Sequence, residues 1–212
     1  VAAHVDNQET RLRLLVAAGE VFAERGFRHA TVREICRRAG ANIAAVNYHF
    51  GDKERLYAHV LRYAHQAIDR QLTNPPPGSR DDPREELREF IRGLMLQIFD
   101  QSKLSWLPRI MAREMVDPTP ALGGLVPDLI RPRADYLEAI VRRILGRGAT
   151  PRDVSLCAFS VIAQCIFYRH SHAVMSQLHP ELTFAPQQIR RVADHIARFC
   201  IAAMENWRRS RP

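Results

Sequence analysis

Asn42, Ala44, Ala45, Asn47, Tyr48 and His49 crowd small and polar side chains into one short stretch, and Lys53 follows four residues after His49. Side chains of these types can read a nucleic-acid duplex. Small ones admit a groove wall, while amide, phenol and imidazole groups reach base edges and phosphate oxygens. Lys53 is either a solvent-exposed lysine at a helix start or a phosphate clamp beside a helix N-terminus. Thr31 and Arg33, just upstream, complete the candidate set, with Arg33 on the outer face of a helix's first turn. Taken without their flanks, the residues from Ala44 to His49 are equally a solvated turn of a plain helix.

The flanking residues supply the elements that would position them. Thr31 is an N-cap candidate, and Glu34 stands three residues on, where a capping box places it. The helix that starts near Val32 is expected to bury Val32, Ile35, Cys36 and Ala39. Gly40 gives the backbone freedom for a tight turn. Asn42 caps a second short helix, from Ile43 to about His49, with Ile43 and Val46 toward the core. An upstream helix from about Asn7 to Arg25 carries Leu12, Leu15, Ala18, Val21 and Phe22 on one stripe and stops at Gly26. Gly51 ends the second short helix, and Asp52 caps a fourth helix with Leu56, Val60, Leu61, Ala64, Ile68 and Leu72 at helical spacing. Two short helices across a tight turn, closed by a longer one, make a helix-turn-helix reader of duplex DNA.

The run Thr31, Ile35, Ala39-Gly40, Tyr48-His49-Phe50, Lys53-Glu54 and Leu56 resembles the N-terminal domain of the tetracycline-repressor-like (TetR) transcriptional regulators. The match spans about residues 8 to 60 without a gap, and FAERGF (Phe22 to Phe27) sits at the family's spacing. Cys36 stands for the usual alanine, Ala41 for a usual valine, and Asn47 where tyrosine is common. The phrase NIAAVNYHFGDKERLY resembles a subgroup whose C-terminal ligand domain is chemically little defined. The resemblance implies a ligand-responsive repressor that binds a palindromic double-stranded DNA operator as a homodimer. It further implies that helices of about residues 151 to 178 and 186 to 207 pair with their mates, and that no cofactor is needed.

Beyond residue 72 the pattern is all helix. TNPPPGSRDD, residues 73 to 82, is a loop, because three prolines and a glycine deny helix and ladder alike. Asp82-Pro83 opens a helix bearing Leu87, Phe90, Ile91, Leu94, Ile98 and Phe99. Helices follow over about Ser105 to Val116 and Ala121 to Leu145, the latter broken or kinked at Pro127 and Pro132. Thr150, Pro151 and Asp153 start a helix apolar on almost every side, which is expected to be buried all round. The last begins near Pro186 and turns Ile189, Val192, Ile196, Phe199, Cys200, Ala203 and Trp207 to one face. The fold class is therefore all-α, with a helix-turn-helix head (1–56), a connecting helix (about 52–72) and a larger helical domain (73–212) for ligand binding and dimerisation.

Trp106, Met111, Met115, Phe159 and Phe167, with Gln164 and His170 as isolated polar groups, have the composition of an apolar effector pocket; each is also ordinary core. His170 and His172 point their rings about 200° apart on a helix and share no face for a metal. Cys36, Cys157, Cys165 and Cys200 lack CxxC spacing and read as buried thiols. Glu114, Arg113 and Asp117 lack the glycine-rich loop or nucleophile elbow of a catalytic site, so an all-α enzyme is the weaker alternative; a constitutive DNA-binding protein without effector is the other. The 212-residue chain has a net charge of +8, which fits a nucleic-acid partner. Residues 25 to 55 hold seven Lys or Arg against three acidic residues. No apolar run approaches the ~20 residues of a membrane span, and the first residues lack a signal-peptide core, so a cytoplasmic address is expected.

Overall fold

A computed structural model describes residues 2–71, 81–99 and 105–209, with side chains described over 7–67, 81–99 and 105–207. Most of the 73–82 loop expected from sequence, and Ile68 and Leu72 of the connecting stripe, lie outside those side chains. Among the described residues every regular element is a helix. The chain divides into two compact units, Val1–Gln71 with Gln101–Ile130, and Leu72–Asp100 with Arg131–Pro212. Residues 101–130 thus group with the N-terminal helices, whereas the sequence placed them with the rest of 73–212. Trp106 and Glu114 are what hold them there.

In the first unit, α1 (Ala2–His29), α2 (Val32–Ala39), α3 (Ile43–Phe50) and α4 (Lys53–Gln71) form the head, and α6 (Leu107–Val116) and α7 (Pro120–Leu125) pack on α1 and α4 respectively. The helix between them in sequence, α5 (Pro83–Ile98), belongs to the second unit. The head's interior is Leu14, Leu15, Ala18, Val21, Phe22, Ile35, Val46, Leu56, Val60 and Leu61. Phe22 and Phe27 close on Tyr57, with ring centroids 4.7 and 5.0 Å away. Such offset and edge-on pairs add modestly to area burial. α1 continues past the expected stop to His29, but Gly26 inside it is non-helical at φ 76, ψ 163. That backbone needs glycine. Leu12, expected on the buried stripe, is exposed, because Leu14 and Leu15 take the inward positions.

In the second unit α5, α8 (Arg131–Leu145), α9 (Pro151–His170) and α11 (Pro186–Arg209) all pack against one another. Leu87, Ile91, Met95, Leu137, Ile140, Val141, Ile144, Val154, Val161, Ile196 and Ala197 fill the space between them. Asp82 caps α5 by accepting from the Arg84 amide, with Pro83 in its first turn. Thr150 and Asp153 form a reciprocal capping box at α9. A π-helical turn, Val126–Ile130, follows α7 and contains Pro127, whose missing amide is the reason a regular ladder fails there. The expected long helix over 150–178 is broken at Ser171, and α10 (His172–Leu178) follows.

Within the single chain α9 is buried on one face only. Leu156, Phe159 and Phe167 are 54%, 65% and 58% exposed, while Val154, Ala158, Val161 and Cys165 are buried. On α11, Ile189, Ile196 and Cys200 of the sequence stripe are buried, while Phe199 is 59% exposed and Ala203 is also outward. On α9 apolar residues stand on both faces, so its pattern does not say which one meets the core.

Candidate nucleic-acid interface

Local chemistry builds the reading head. Thr31 Oγ accepts from the Glu34 amide at 3.2 Å and fixes the start of α2. Only half of the expected capping box forms, since the Glu34 carboxylate pairs with Arg25 at 3.6 Å. Gly40 ends α2 in the left-handed region at φ 61, ψ 39, and the Ala41 amide returns to the Cys36 carbonyl at 2.9 Å. This is the glycine-dependent stop that lets the chain turn in three residues. Asn42 Oδ1 accepts from the Ala44 amide at 2.7 Å and starts α3. Its side chain is therefore held as a cap.

On α3, Val46 and Phe50 are buried, Ala45 and His49 are half-buried, and Ile43, Ala44, Asn47 and Tyr48 are exposed. The exposed four stand at i, i+1, i+4 and i+5, one face of an α-helix. Tyr48, at 76% exposure, projects furthest. Ile43 was expected in the core and belongs instead to this outward face. Its spacing to Asn47 carried the signal; its hydrophobicity hid it. Burial first, and Arg11 second, hold the His49 imidazole below its ordinary value, so at neutral pH it is a hydrogen-bonding group without charge.

The cations sort differently from the sequence reading. Lys53 Nζ donates to the carbonyls of Phe27 at 3.1 Å, Ala30 at 3.2 Å and Arg28 at 3.5 Å, and lies 4.7 Å from the centre of the Phe27 ring. A cation at the carbonyl end of a helix satisfies groups that have no partner within it. In the DNA-free chain Lys53 closes α1, a role the sequence reading did not include beside that of a phosphate clamp. Arg38 makes two 2.8 Å bonds to Glu24, and Arg28 meets Asp117 at 2.9 Å. The paired guanidinium holds the Glu24 carboxyl below the usual carboxylate range. Of the cations in residues 25–55, only Arg33 and the unforeseen Arg37 are exposed with no ion pair among the described residues. They stand at i and i+4, on one face of α2.

Behind the head sits a buried carboxylate. Glu114 Oε1 accepts from the Tyr57 phenol at 2.6 Å and from the Thr119 hydroxyl at 2.9 Å, and Oε2 accepts from the Thr119 amide at 3.0 Å. α4 is thereby tied to α6 and to the start of α7.

The proposed pocket residues fall in both units. Trp106, Met111 and Met115 belong to the first unit, and Phe159, Gln164, Phe167 and His170 to the second. Trp106 is buried, with Gly19 of α1 beneath its indole: a Cβ built on Gly19 would stand 2.4 Å from the ring. Met111 is half-buried; Met115, Phe159, Phe167 and His170 are exposed. Gln164 donates to Cys200 Sγ at 3.2 Å.

Residues 14–60 match the family model of the bacterial regulatory proteins of the tetR family, and residues 83–204 match the C-terminal domain of the HTH-type transcriptional dual regulator CecR. The chain belongs to the TetR family. CecR of Shigella flexneri is 28% identical over 175 residues, 78% of each chain. Among solved structures, the SmeT–triclosan complex is 25% identical with a TM-score of 0.66, covering 92% of this chain and 90% of that one. A putative fatty acid metabolism regulator of Clostridium perfringens gives 0.68 at 19% identity, over 90% of this chain and 97% of the other. This TetR-family member is a transcriptional regulator with a DNA-binding helix-turn-helix in α2 and α3. No described helix is long and apolar enough to cross a membrane.

Proposed function

We propose that this regulator is a ligand-responsive repressor that reads a palindromic operator as a homodimer. The observation that carries the reading is the pair of outward apolar faces, Leu156, Phe159 and Phe167 on α9 and Phe199 on α11. Large aromatic and aliphatic groups left together in water are the mark of an interaction surface. One short reading helix spans few base pairs, and a rigid pair doubles the contacts while fixing their spacing. In the assembly, Ile43, Ala44, Asn47 and Tyr48 meet base edges, Ala45 and His49 flank them, and Arg33 and Arg37 hold phosphates. Thr31 and Asn42 keep the two helices in register, and Lys53 keeps α1 closed behind them.

An effector in the second unit is supported by Gln97, whose buried side-chain oxygen has no hydrogen-bond partner among the described residues. A lone buried acceptor is uncommon and is suited to a donor on a ligand. Triclosan in the SmeT structure is a precedent for a small-molecule site on this scaffold.

The test starts with selection of bound duplexes from a random pool. A two-fold symmetric site, with half-sites about one duplex turn or a multiple apart, ~34 Å, supports the reading. A single asymmetric half-site bound by a monomer rejects it. Transcription from a promoter carrying the site should rise when the gene is deleted; a fall makes the protein an activator. An inducer must bind the free protein more tightly than the operator complex, because coupling is reciprocal.

A further inference from the structure

Between α5 and α11 lies a groove of about 560 Å³ lined by Arg88, Arg92, Arg191, Asp194 and Arg198. Arg88 and Arg92 stand at i and i+4 on α5, and Arg191, Asp194 and Arg198 at i, i+3 and i+7 on α11, so each set shares a helix face. Four guanidinium groups thus converge on one concavity with a single carboxylate in its wall.

Two of the four are already aimed. Arg92 Nε bonds Asp194 at 2.7 Å, its Nη1 bonds Glu89 at 2.6 Å, and Arg88 bonds Glu85 at 3.0 Å. Arg191 and Arg198 are exposed and have no ion pair among the described residues. An arginine pair held by neighbours and a second pair left open is more than a solvated face, where each cation would be free to turn outward.

We propose that this groove is a binding site for a phosphate-bearing small molecule. Ligand sites commonly have volumes of about 300–1,000 Å³, so the groove has room for more than a bare ion. Every residue that lines it is charged, with the arginine stems forming its walls and the guanidinium groups its polar contacts. The ligand must compete with Asp194, Glu85 and Glu89 for the same guanidinium groups. A monocarboxylate brings no advantage over those side chains. A phosphate does, since it carries about two negative charges and three acceptor oxygens that match the planar guanidinium fork. On α11 the aromatic proposed for dimerisation, Phe199, stands about 80–100° around the helix from Arg191 and Arg198.

Calorimetric titration of the full chain with inorganic pyrophosphate, and in parallel with succinate, tests the site at 0.15 M salt. Pyrophosphate should bind saturably and more tightly than succinate. The double variant Arg191→Ala/Arg198→Ala should weaken it at least ~10-fold, since each bond to a charged group contributes about that much. Arg191→Gln/Arg198→Gln should do the same with the side-chain bulk retained. Asp194→Asn should tighten binding by removing the competing carboxylate, and Arg190→Ala, beside the groove, should leave it unchanged. Circular dichroism verifies that each variant keeps wild-type helix content. Absence of saturable binding, succinate binding as tightly as pyrophosphate, equal affinity in the double variant, or an equal loss in Arg190→Ala overturns the proposal. So does binding of non-operator duplex alone. None of these readouts depends on operator recognition, so the site stands or falls apart from the proposed repressor function.

Discussion

The Tyr57 phenol donates to Glu114 at 2.6 Å, joining α4 directly behind the DNA-reading helices to α6, 57 residues further along the chain. Both side chains are buried, and Thr119 supplies the carboxylate's other two bonds. A buried carboxylate survives only when its oxygens are satisfied in this way. Burial first, and the bond to Glu114 second, push the Tyr57 phenol above its ordinary value. Glu114→Ala should be the more damaging change, because it leaves the phenol and the Thr119 donors unpaired. Tyr57→Phe should cost about 1–2 kcal/mol, read from urea unfolding. The sign of the pH effect follows from the raised native value. Stability is full below the unfolded phenol's range, near pH 10, and is lost as pH climbs above it. Wild type should therefore lose stability above about pH 10 more steeply than Tyr57→Phe; parallel curves would place the linkage elsewhere.

Lys53 offers a sharp contrast between two roles. A phosphate clamp predicts that Lys53→Ala flattens the salt dependence of DNA binding by about one contact. The bonds from Lys53 to the carbonyls of Phe27, Arg28 and Ala30 predict instead an unchanged salt slope with a head less stable by about 1–2 kcal/mol. Arg33→Ala and Arg37→Ala should each flatten the slope by about 0.9. Electrophoretic or fluorescence titrations across salt concentrations, paired with thermal melts, separate the outcomes.

What could be read in advance was the local grammar. Thr31, Gly40 and Asn42 act on amides within three residues of themselves, so their roles follow from neighbours already visible in the sequence. The head, the all-helical class and the starts of α5 and α9 were legible for that reason. Lys53, Glu114 and Trp106 were not, because their partners lie far along the chain, at Phe27, Tyr57 and Gly19. Ile43, expected in the core, was misplaced for a different cause. Hydrophobicity marks a side chain as wanting cover without saying whether its own core, a DNA groove or another subunit provides it.

The reading face should separate base contacts from phosphate contacts. Asn47→Ala and Tyr48→Ala should each change discrimination between operator variants, by about 1–3 kcal/mol where a base-edge bond is lost. Arg37→Ala should weaken all duplexes alike. Competition binding against single-base operator variants reads both. Uniform weakening by Tyr48→Ala would confine that residue to the backbone.

The outward aromatics of α9 test the dimer without disturbing the fold of the chain. Phe159→Glu and Phe167→Glu place charges where the single chain already faces water, so helix content and the unit's own core should survive. In a homodimer joined through α9 and α11, the same charges are buried without partners, a change that commonly costs several kcal/mol. Sedimentation equilibrium should find dimers for wild type at micromolar concentration and monomers for either variant, with operator affinity falling in step. Arg152→Glu, exposed near the start of α9, serves as the control for added charge alone. A wild-type monomer, or dimers that persist in both phenylalanine variants, would remove these faces from the interface and with them the two-fold operator.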